Sequence, residues 1–548
     1  MTKKMLALGL AAVLAFSCIG CKGRQADTGQ GGESTQAVKE DSQGQKETEE
    51  AKGEEILSAK DTIIMASNVE PATLDPSGLD SAAIKRVYCQ VFDQLFRYDK
   101  VSSNIVPYAV ESYQMDDDNM GITLHLRQDI VFHNGDKADA DDLVFTFEHY
   151  RGSSIGATLD FINYDDVTKT GDYSVHVGLN YPFGALLDSL VKVSLFSESA
   201  TTEKGDRFGQ EPVGSGPYKF VKWVSGDNIT LAANQEYWDG APPIKNMIIR
   251  LISEQSVQMI ELEAGTIDVA LDPLNSDVAD LLAKGSDTLK VNSGGEVVVV
   301  FLACNYEAES GIMKDKRIRQ AIAYAINTED IAAVAYDGTG SGATGLIPPG
   351  VLGYDESLKE NSILTASNEE KAKELLAEAG YPDGLTLSMV QANVVVYTRA
   401  AEVIQNQLAK AGITLDITTY DDATASSMQE GDFKADLSLR LVNINGDPIV
   451  SPYGTHFEPA KGVVGGRNVA KNANDPEAAA LQAVIDELKI TFDPDKKVEL
   501  LKEAQGLCNE NMWWIPLCFA SINEVQNVSL KGNRKVVNYE YMNKAYFE

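Results

Sequence analysis

Basic residues, cysteines and histidines are scarce in this chain, and no apolar run in it is long enough to span a membrane. Only 47 Lys and Arg stand against 81 Asp and Glu among 548 residues, a net charge of −34 at pH 7. A surface that acidic repels phosphate, which excludes nucleic acid as a partner. The same charge keeps a soluble protein apart from its neighbours, and a monomer is expected. The five histidines (His125, His133, His149, His176 and His456) are scattered, with no HExxH spacing, so neither a metal site nor any cofactor is expected. His456 alone falls in a segment that could face a ligand. Beyond two cysteines near the start, Cys89, Cys304, Cys508 and Cys518 read as small core residues, with a bridge between the last two left open. No GxSxG nucleophile motif is present, which argues against a hydrolase and for a protein that is not an enzyme. Hydrophobic residues make up 44%, enough to build a core without disulfides or metal. At roughly 150 residues per domain the length suggests three to four domains.

What is there begins with an export signal. Lys3 and Lys4 precede an apolar run from Met5 to Ile19, which ends in Ser17-Cys18-Ile19-Gly20-Cys21-Lys22. A small residue before a cysteine at the end of such a run is similar to the lipobox of bacterial lipoproteins, in which the thiol takes a diacylglycerol and becomes the new N-terminus. Gly20-Cys21 fits that rule, and Ser17-Cys18 is the rival. The assignment is a signal over 1–20 and lipidation of Cys21, which places the protein on the outer face of a cell membrane. Residues 21–60 hold Gly, Gln, Ser, Thr, Glu and Lys with no aromatic residue, and read as a disordered tether reaching roughly 35 Å.

From residue 61 the pattern alternates strands and helices. Asp61 to Ser67 is a short apolar run, and Ile122 to Arg127 alternates as a half-buried strand does. Lys219 to Ala232 holds two strand-like runs split by Ser225-Gly226-Asp227-Asn228, a hairpin signal. Val297 to Leu302 is wholly apolar and reads as a central strand. Arg317 to Ile326, Glu369 to Ala379 and Arg399 to Lys410 carry helical spacing, as do Pro476 to Leu488 and Asp495 to Asn509. The fold class is mixed α/β, with strands too evenly spread for one sheet.

Six blocks in order carry a resemblance. Leu126-Arg-Gln-Asp-Ile-Val-Phe-His-Asn-Gly-Asp-Lys-Ala-Asp-Ala-Asp-Asp-Leu-Val-Phe145 joins a strand, a turn at Asn134-Gly135-Asp136 and a helix with an acidic start. Val213-Gly-Ser-Gly-Pro-Tyr-Lys-Phe220 follows. Then come Asn234 with Tyr237-Trp238 and Pro242-Pro243, Glu261-Leu-Glu-Ala-Gly265 with Asp268, Asp315-Lys-Arg317-Ile-Arg319-Gln-Ala to Asn327, and Lys371 to Gly384. Together they resemble the family 5 solute-binding proteins, the extracytoplasmic receptors of peptide and nickel ABC importers. The resemblance implies a two-lobed periplasmic-binding-protein-like fold (type II, class C) with an extra inserted domain. Domain I would take 61–99, 205–296 and 500–548, the inserted domain II 100–204, and domain III 297–499. It implies partners too: a peptide or other small polar solute trapped between lobes, a permease with its ATPase, and the membrane reached through the lipid anchor.

Within that scheme the motif residues have structural readings. Gly214 and Gly216 are expected to permit turns at positive φ. Arg317 and Arg319 are expected in helix-surface ion pairs, and Trp513-Trp514 in the core. Gly340-Ser-Gly342-Ala-Thr-Gly345 spells GxGxxG without the strand–turn–helix context of a dinucleotide site. Peptide-binding members carry a G-W-x-x-D-type segment late in domain III, whose Asp pairs with the peptide's α-ammonium. The matching stretch here, Asp436 to Pro448, keeps Gly446-Asp447-Pro448 but has no Trp, and no acid between Asp436 and Asp447. Ile444 or Asn445 stands where the ammonium partner would be. An ammonium is then held by Asp80 or Asp447, or is absent from the ligand, for which Asn443 and Asn445 suit amide groups. Asp80-Ser81-Ala82 and the segment Arg440 to Asn445 are expected to hydrogen-bond the ligand through main chain. A ligand-sensing lipoprotein without a permease is the alternative reading.

Overall fold

The structure, a computed structural model, describes residues 57–548 apart from 79–80, 100–103, 307, 366, 422–423, 426–433, 445, 452, 454–475 and 537. The signal, Cys18, Cys21, Asp80, Asn445 and His456, with the tether up to residue 56, lie outside the described residues. The tether's last residues are built into the globule. Ser58 receives the Phe547 N–H on its hydroxyl, Ala59 donates its N–H to the Phe547 carbonyl, and Lys60 pairs with Asp268 at 2.7 Å. The expected boundary at 60/61 therefore moves back, because Asp268 supplies a buried carboxylate that Lys60 neutralises.

Two long antiparallel strands organise the molecule, Leu289–Cys304 and Trp514–Asn527. Among the described residues they belong to an 11-stranded sheet. At one end Val298–Cys304 pairs with Leu437–Asn443, which continues through the parallel strands Leu385–Ala392 and Ile413–Tyr420. At the other end Val525 and Gln526 pair with Val269–Ala270, followed by Thr62–Ser67, Asn246–Leu251, Asn228–Ala233 and Tyr218–Val224. The first group is lobe 2 and the second lobe 1. Burial changes along the strand as its neighbours do. Residues 297–304 are all buried, whereas most of 289–296 is partly or fully exposed. Between them the register slips at Ser293/Glu296 and Glu296/Val298, where a bulge breaks the ladder. Chain passes between the two groups of strands here through a ladder whose pairing is interrupted.

The inserted part forms its own antiparallel sheet, Val110–Met115, Gly121–Leu126, Ser174–Leu179 and Ile162–Gly171 in spatial order. The helix Ala140–Tyr150 covers it. Asp139 caps that helix, its carboxylate taking the N–H groups of Asp141 and Asp142 while Asp142 answers the Asp139 N–H. The turn before it has Gly135 at φ +96. Both features follow the sequence reading, as do the hairpin at Ser225–Asn228 and the central strand.

Helix Pro494–Asn511 runs across the 499/500 boundary expected from sequence and packs on Pro476–Ile490 and on Lys316–Ala325. Trp514 to Ala520 then pairs with 298–303 in lobe 2. Trp513 and Trp514 are fully buried, and Trp514 stacks on Phe301 with centroids 4.1 Å apart. The four described cysteines are free and buried.

Candidate functional site

The segment expected to meet the ligand is the strand Leu437–Asn443 and the loop after it. Arg440 faces Phe301 across the ladder and is buried, while Leu441 is 40% exposed. Asn443 pairs with Val298, its carbonyl accepting the Ser451 hydroxyl at 3.3 Å. The Ile444 N–H donates to the Val297 carbonyl at 2.7 Å, and its side chain is buried. The strand therefore ends beside Val297, where the long strand changes from core to half-exposed ladder.

From the opposite lobe come Ser81 and Ala82. Ser81 caps the helix Ala82–Val91, its hydroxyl accepting the Ile84 N–H at 3.4 Å. The first N–H groups of such a helix have no intrahelical acceptor and are left for a cap, water or a ligand. Asp80 and Asn445, one from each segment, are outside the described residues.

The two acids of the lobe 2 segment have partners inside the protein. One oxygen of Asp436 takes both the N–H and the hydroxyl of Ser388, at 2.8 and 2.7 Å, and the other takes the Ser310 hydroxyl. Asp447 is 7% exposed. One of its oxygens accepts Lys497 Nζ at 2.5 Å and the other the Ile449 N–H at 3.0 Å. Lys497 also donates to the Gly184 carbonyl at 2.8 Å. A buried carboxylate compensated in this way has little capacity left for a ligand's ammonium.

Sequence reasoning passed over Lys497 and its neighbour Asp188. Both left a signal. Lys497 stands three and four residues before Leu500 and Leu501, on the buried face of its helix, where a lone cation needs a partner. Asp188 interrupts the apolar run Leu186-Leu187-Asp188-Ser189-Leu190 and is 4% exposed.

Elsewhere the motif blocks resolve into packing. Gly214 and Gly216 do not have positive φ, which corrects the turn expectation. A Cβ on Gly214 would overlap the Val91 carbonyl and one on Gly216 the Gln90 carbonyl, so both are glycine because the end of helix Ala82–Val91 lies against them. His133 bridges the same block, its Nε2–H donating to the Gly216 carbonyl at 2.9 Å and its Nδ1 accepting the Gly214 N–H at 3.4 Å. Burial lowers that imidazole to about 4. Arg317 makes the expected surface pair with Asp315 at 2.6 Å. Arg319 does not. It is 1% exposed and donates to the carbonyls of Asn511, Met313 and Lys314. A guanidinium's fork of donors lets it tie its helix to the turn before it and to the end of the helix Pro494–Asn511 without a carboxylate. Gly340–Gly342 is a short strand beside Cys518–Ala520, not a phosphate loop.

Comparison with known proteins gives a consistent result. The model of the bacterial extracellular solute-binding proteins, family 5 middle region, matches residues 104–459. The chain is 26% identical over 502 residues to heme-binding protein A of Haemophilus influenzae, covering 85% of this chain and 88% of that one. It is 27% identical over 494 residues to the glutathione-binding protein GsiB of Salmonella paratyphi A, covering 87% and 92%. The solved structure of DppA from Helicobacter pylori with the peptide STSA shares the fold at a TM-score of 0.73 and 22% identity, over 89% of this chain and 98% of that one.

Proposed function

This chain belongs to the bacterial extracellular solute-binding proteins of family 5, and on that premise we propose that it is the tethered receptor of an ABC importer. Lipid on Cys21 holds it to the outer face of the membrane. It captures a peptide or similar amide-bearing solute between its lobes and presents the closed form to the permease. The observation that carries this reading is the pair of crossing strands, Leu289–Cys304 and Trp514–Asn527, whose ladder is broken between the lobes. Two rigid bodies joined that way close on a ligand without chemistry, so the protein is read as a binder and not an enzyme.

The same reading narrows the ligand. With Asp436 and Asp447 taken by Ser388, Ser310 and Lys497, the lobe 2 segment offers main-chain groups and the amides of Asn443 and Asn445. We infer a solute whose nitrogen terminus is blocked or absent, or whose ammonium is held by Asp80 from lobe 1. Native purification followed by mass spectrometry of the bound solute tests this directly. Calorimetry with a tripeptide and its N-acetyl form then separates the two cases. Equal or tighter binding of the acetylated form supports the blocked-terminus reading, and binding of the free form alone, lost in Asp80→Asn, supports the other. A sugar or a bare metal chelate as the co-purified solute would overturn both. In either case Asp447→Asn leaves Lys497 buried without its counter-charge and lowers stability by about 3 kcal/mol. A loss of affinity with stability intact would return Asp447 to the ligand.

A further inference from the structure

One loop of the inserted sheet domain reaches lobe 2. The Gly184 N–H donates to the Lys489 carbonyl at 2.5 Å, and the Gly184 carbonyl accepts Lys497 Nζ at 2.8 Å. A Cβ on Gly184 would overlap the Thr491 carbonyl, so main chain presses on main chain. Four residues on, Asp188 stands in the short helix Leu186–Leu190. Its Oδ1 accepts the Tyr98 hydroxyl at 2.9 Å, and Asp447 from lobe 2 stands beside it across one cavity. Gly446 is flush against this pair, since a Cβ there would overlap Asp188 Oδ1. Between the two sides lies a cavity of about 280 Å³, with Leu186, Leu187, Leu352 and Phe492 in its walls and Asp188, Asp447 and Lys497 in its lining.

We propose that this contact is an inter-lobe latch, in which the loop 183–190 grips Gly446-Asp447 and Lys497 of lobe 2 and the proton on Asp188 sets the strength of the grip. The proposal rests on the reading of two closing lobes and adds a regulatory device to it.

The charges around Asp188 decide the direction. From lobe 2 it faces the Asp447 carboxylate, with Lys497 on one of that carboxylate's oxygens. From lobe 1 it faces Tyr98, on which the Tyr539 ring packs at 5.8 Å, and from its own domain Lys192. Burial first, and repulsion by Asp447 second, push the Asp188 carboxyl up to about 7, against the opposing pull of the Tyr98 donor and of Lys192. When the lobes part, water returns to Asp188 and its pKa falls back toward the ordinary value of about 3.9. The latched form therefore holds a proton between roughly pH 4 and 7 that the parted form has lost. The latch is strongest below neutrality and loosens as pH rises through about 7.

Hydrogen exchange of the unliganded full chain reads this without a ligand. The amide to follow is that of Gly184, which donates to Lys489 across the contact, corrected for the intrinsic pH dependence of exchange. In the wild type its protection is expected to fall about tenfold between pH 6 and pH 8.5. Asp188→Asn, a neutral isostere, is expected to keep the high-protection value at both pH values. Tyr98→Phe removes a donor that favours the anion and is expected to move the midpoint upward, which provides a second test should Asp188→Asn fold poorly. Protection that does not change with pH in the wild type, or a pH dependence that survives in Asp188→Asn, overturns the latch. Neither result touches the receptor reading, which fails instead if the natively purified protein carries no solute and binds none.

Discussion

Asp93 in lobe 1 and Asp447 in lobe 2 are both carboxylates shut away from water, and the molecule treats them differently. Asp93 is fully buried and takes two neutral donors, the Tyr237 hydroxyl at 2.7 Å and the Trp238 indole N–H at 3.1 Å. Its cation, Arg97, stands back at 3.8 Å, lying over the ring of Tyr108 at 3.5 Å with Tyr541 at 4.6 Å. These partners come from lobe 1 and the domain inserted beside it. Asp447 instead leans on one close ammonium, and that ammonium also reaches across to Gly184 of the inserted domain. Spreading a charge over several donors within one body yields a rigid block. Concentrating it in one pair that touches a second body yields a joint that can be remade.

The sharpest way to break that comparison is at Asp93. Asp93→Ala removes the acceptor of two buried donors and leaves Arg97 without its carboxylate. A loss of about 3–5 kcal/mol is expected in urea unfolding. A loss below about 1 kcal/mol would mean that the tyrosine rings alone support Arg97, and the contrast with Asp447 would fail.

How much of this was legible from residues follows the same divide. The block Asn234 to Pro243 was recognisable because Tyr237 and Trp238 answer Asp93 whatever the ligand, and Trp513-Trp514 read as core because an apolar run with indoles has nowhere else to go. Gly214 and Gly216 were recognisable but misread. Close approach of Val91 and Gln90 is a tertiary fact with no local signature. The partnership of Asp447 with Lys497 joins residues 50 apart in sequence, and the contact with Gly184 spans 313, distances over which periodicity carries no information. The ligand segment was legible chiefly through what it lacks, an acid between Asp436 and Asp447. Its consequence became clear once Ser388 and Lys497 were seen to take the acids that remain.

A smaller effect sharpens the rigid side of the comparison. His133 is held neutral between the Gly216 carbonyl and the Gly214 N–H, with its pKa lowered to about 4 by burial. In the unfolded chain it titrates near 6.5. Between those values the unfolded state binds a proton that the folded state refuses, so stability falls as pH drops from about 6.5 toward 4. The expected loss by pH 4 is roughly 3 kcal/mol, seen as a steeper acid limb of the melting temperature in the wild type than in His133→Asn. Equal acid limbs in the two proteins would show that the ring is not held neutral. The dependence runs opposite to that of the Asp188 latch, which tightens as acid is added.

The smallest effect is expected at the hinge itself. Gly295 lies in the register slip between Ser293 and Glu296, at φ +92, with its N–H on the Ser293 hydroxyl at 3.2 Å. A Cβ there would meet nothing within 4 Å, so Gly295→Ala adds no clash and acts on conformation alone. An L-residue at this φ costs about 1 kcal/mol or slightly more. If the bulge keeps this shape whether the lobes are together or apart, the variant loses about 1 kcal/mol of stability and its affinity for the co-purified solute stays within about threefold. If instead the positive φ belongs only to the state with lobes in contact, the cost falls on closure and affinity drops about fivefold or more at unchanged stability. We expect the first outcome, because the slip at Ser293/Glu296 is fixed on the lobe 1 side by the pairs Asn292–Glu524 and Ser293–Asn523 and on the lobe 2 side by Val298–Ala520. The bend then comes from the unpaired residues between these anchors sharing small changes, and not from one glycine turning over. Paired urea titrations and calorimetry on wild type and Gly295→Ala separate the two.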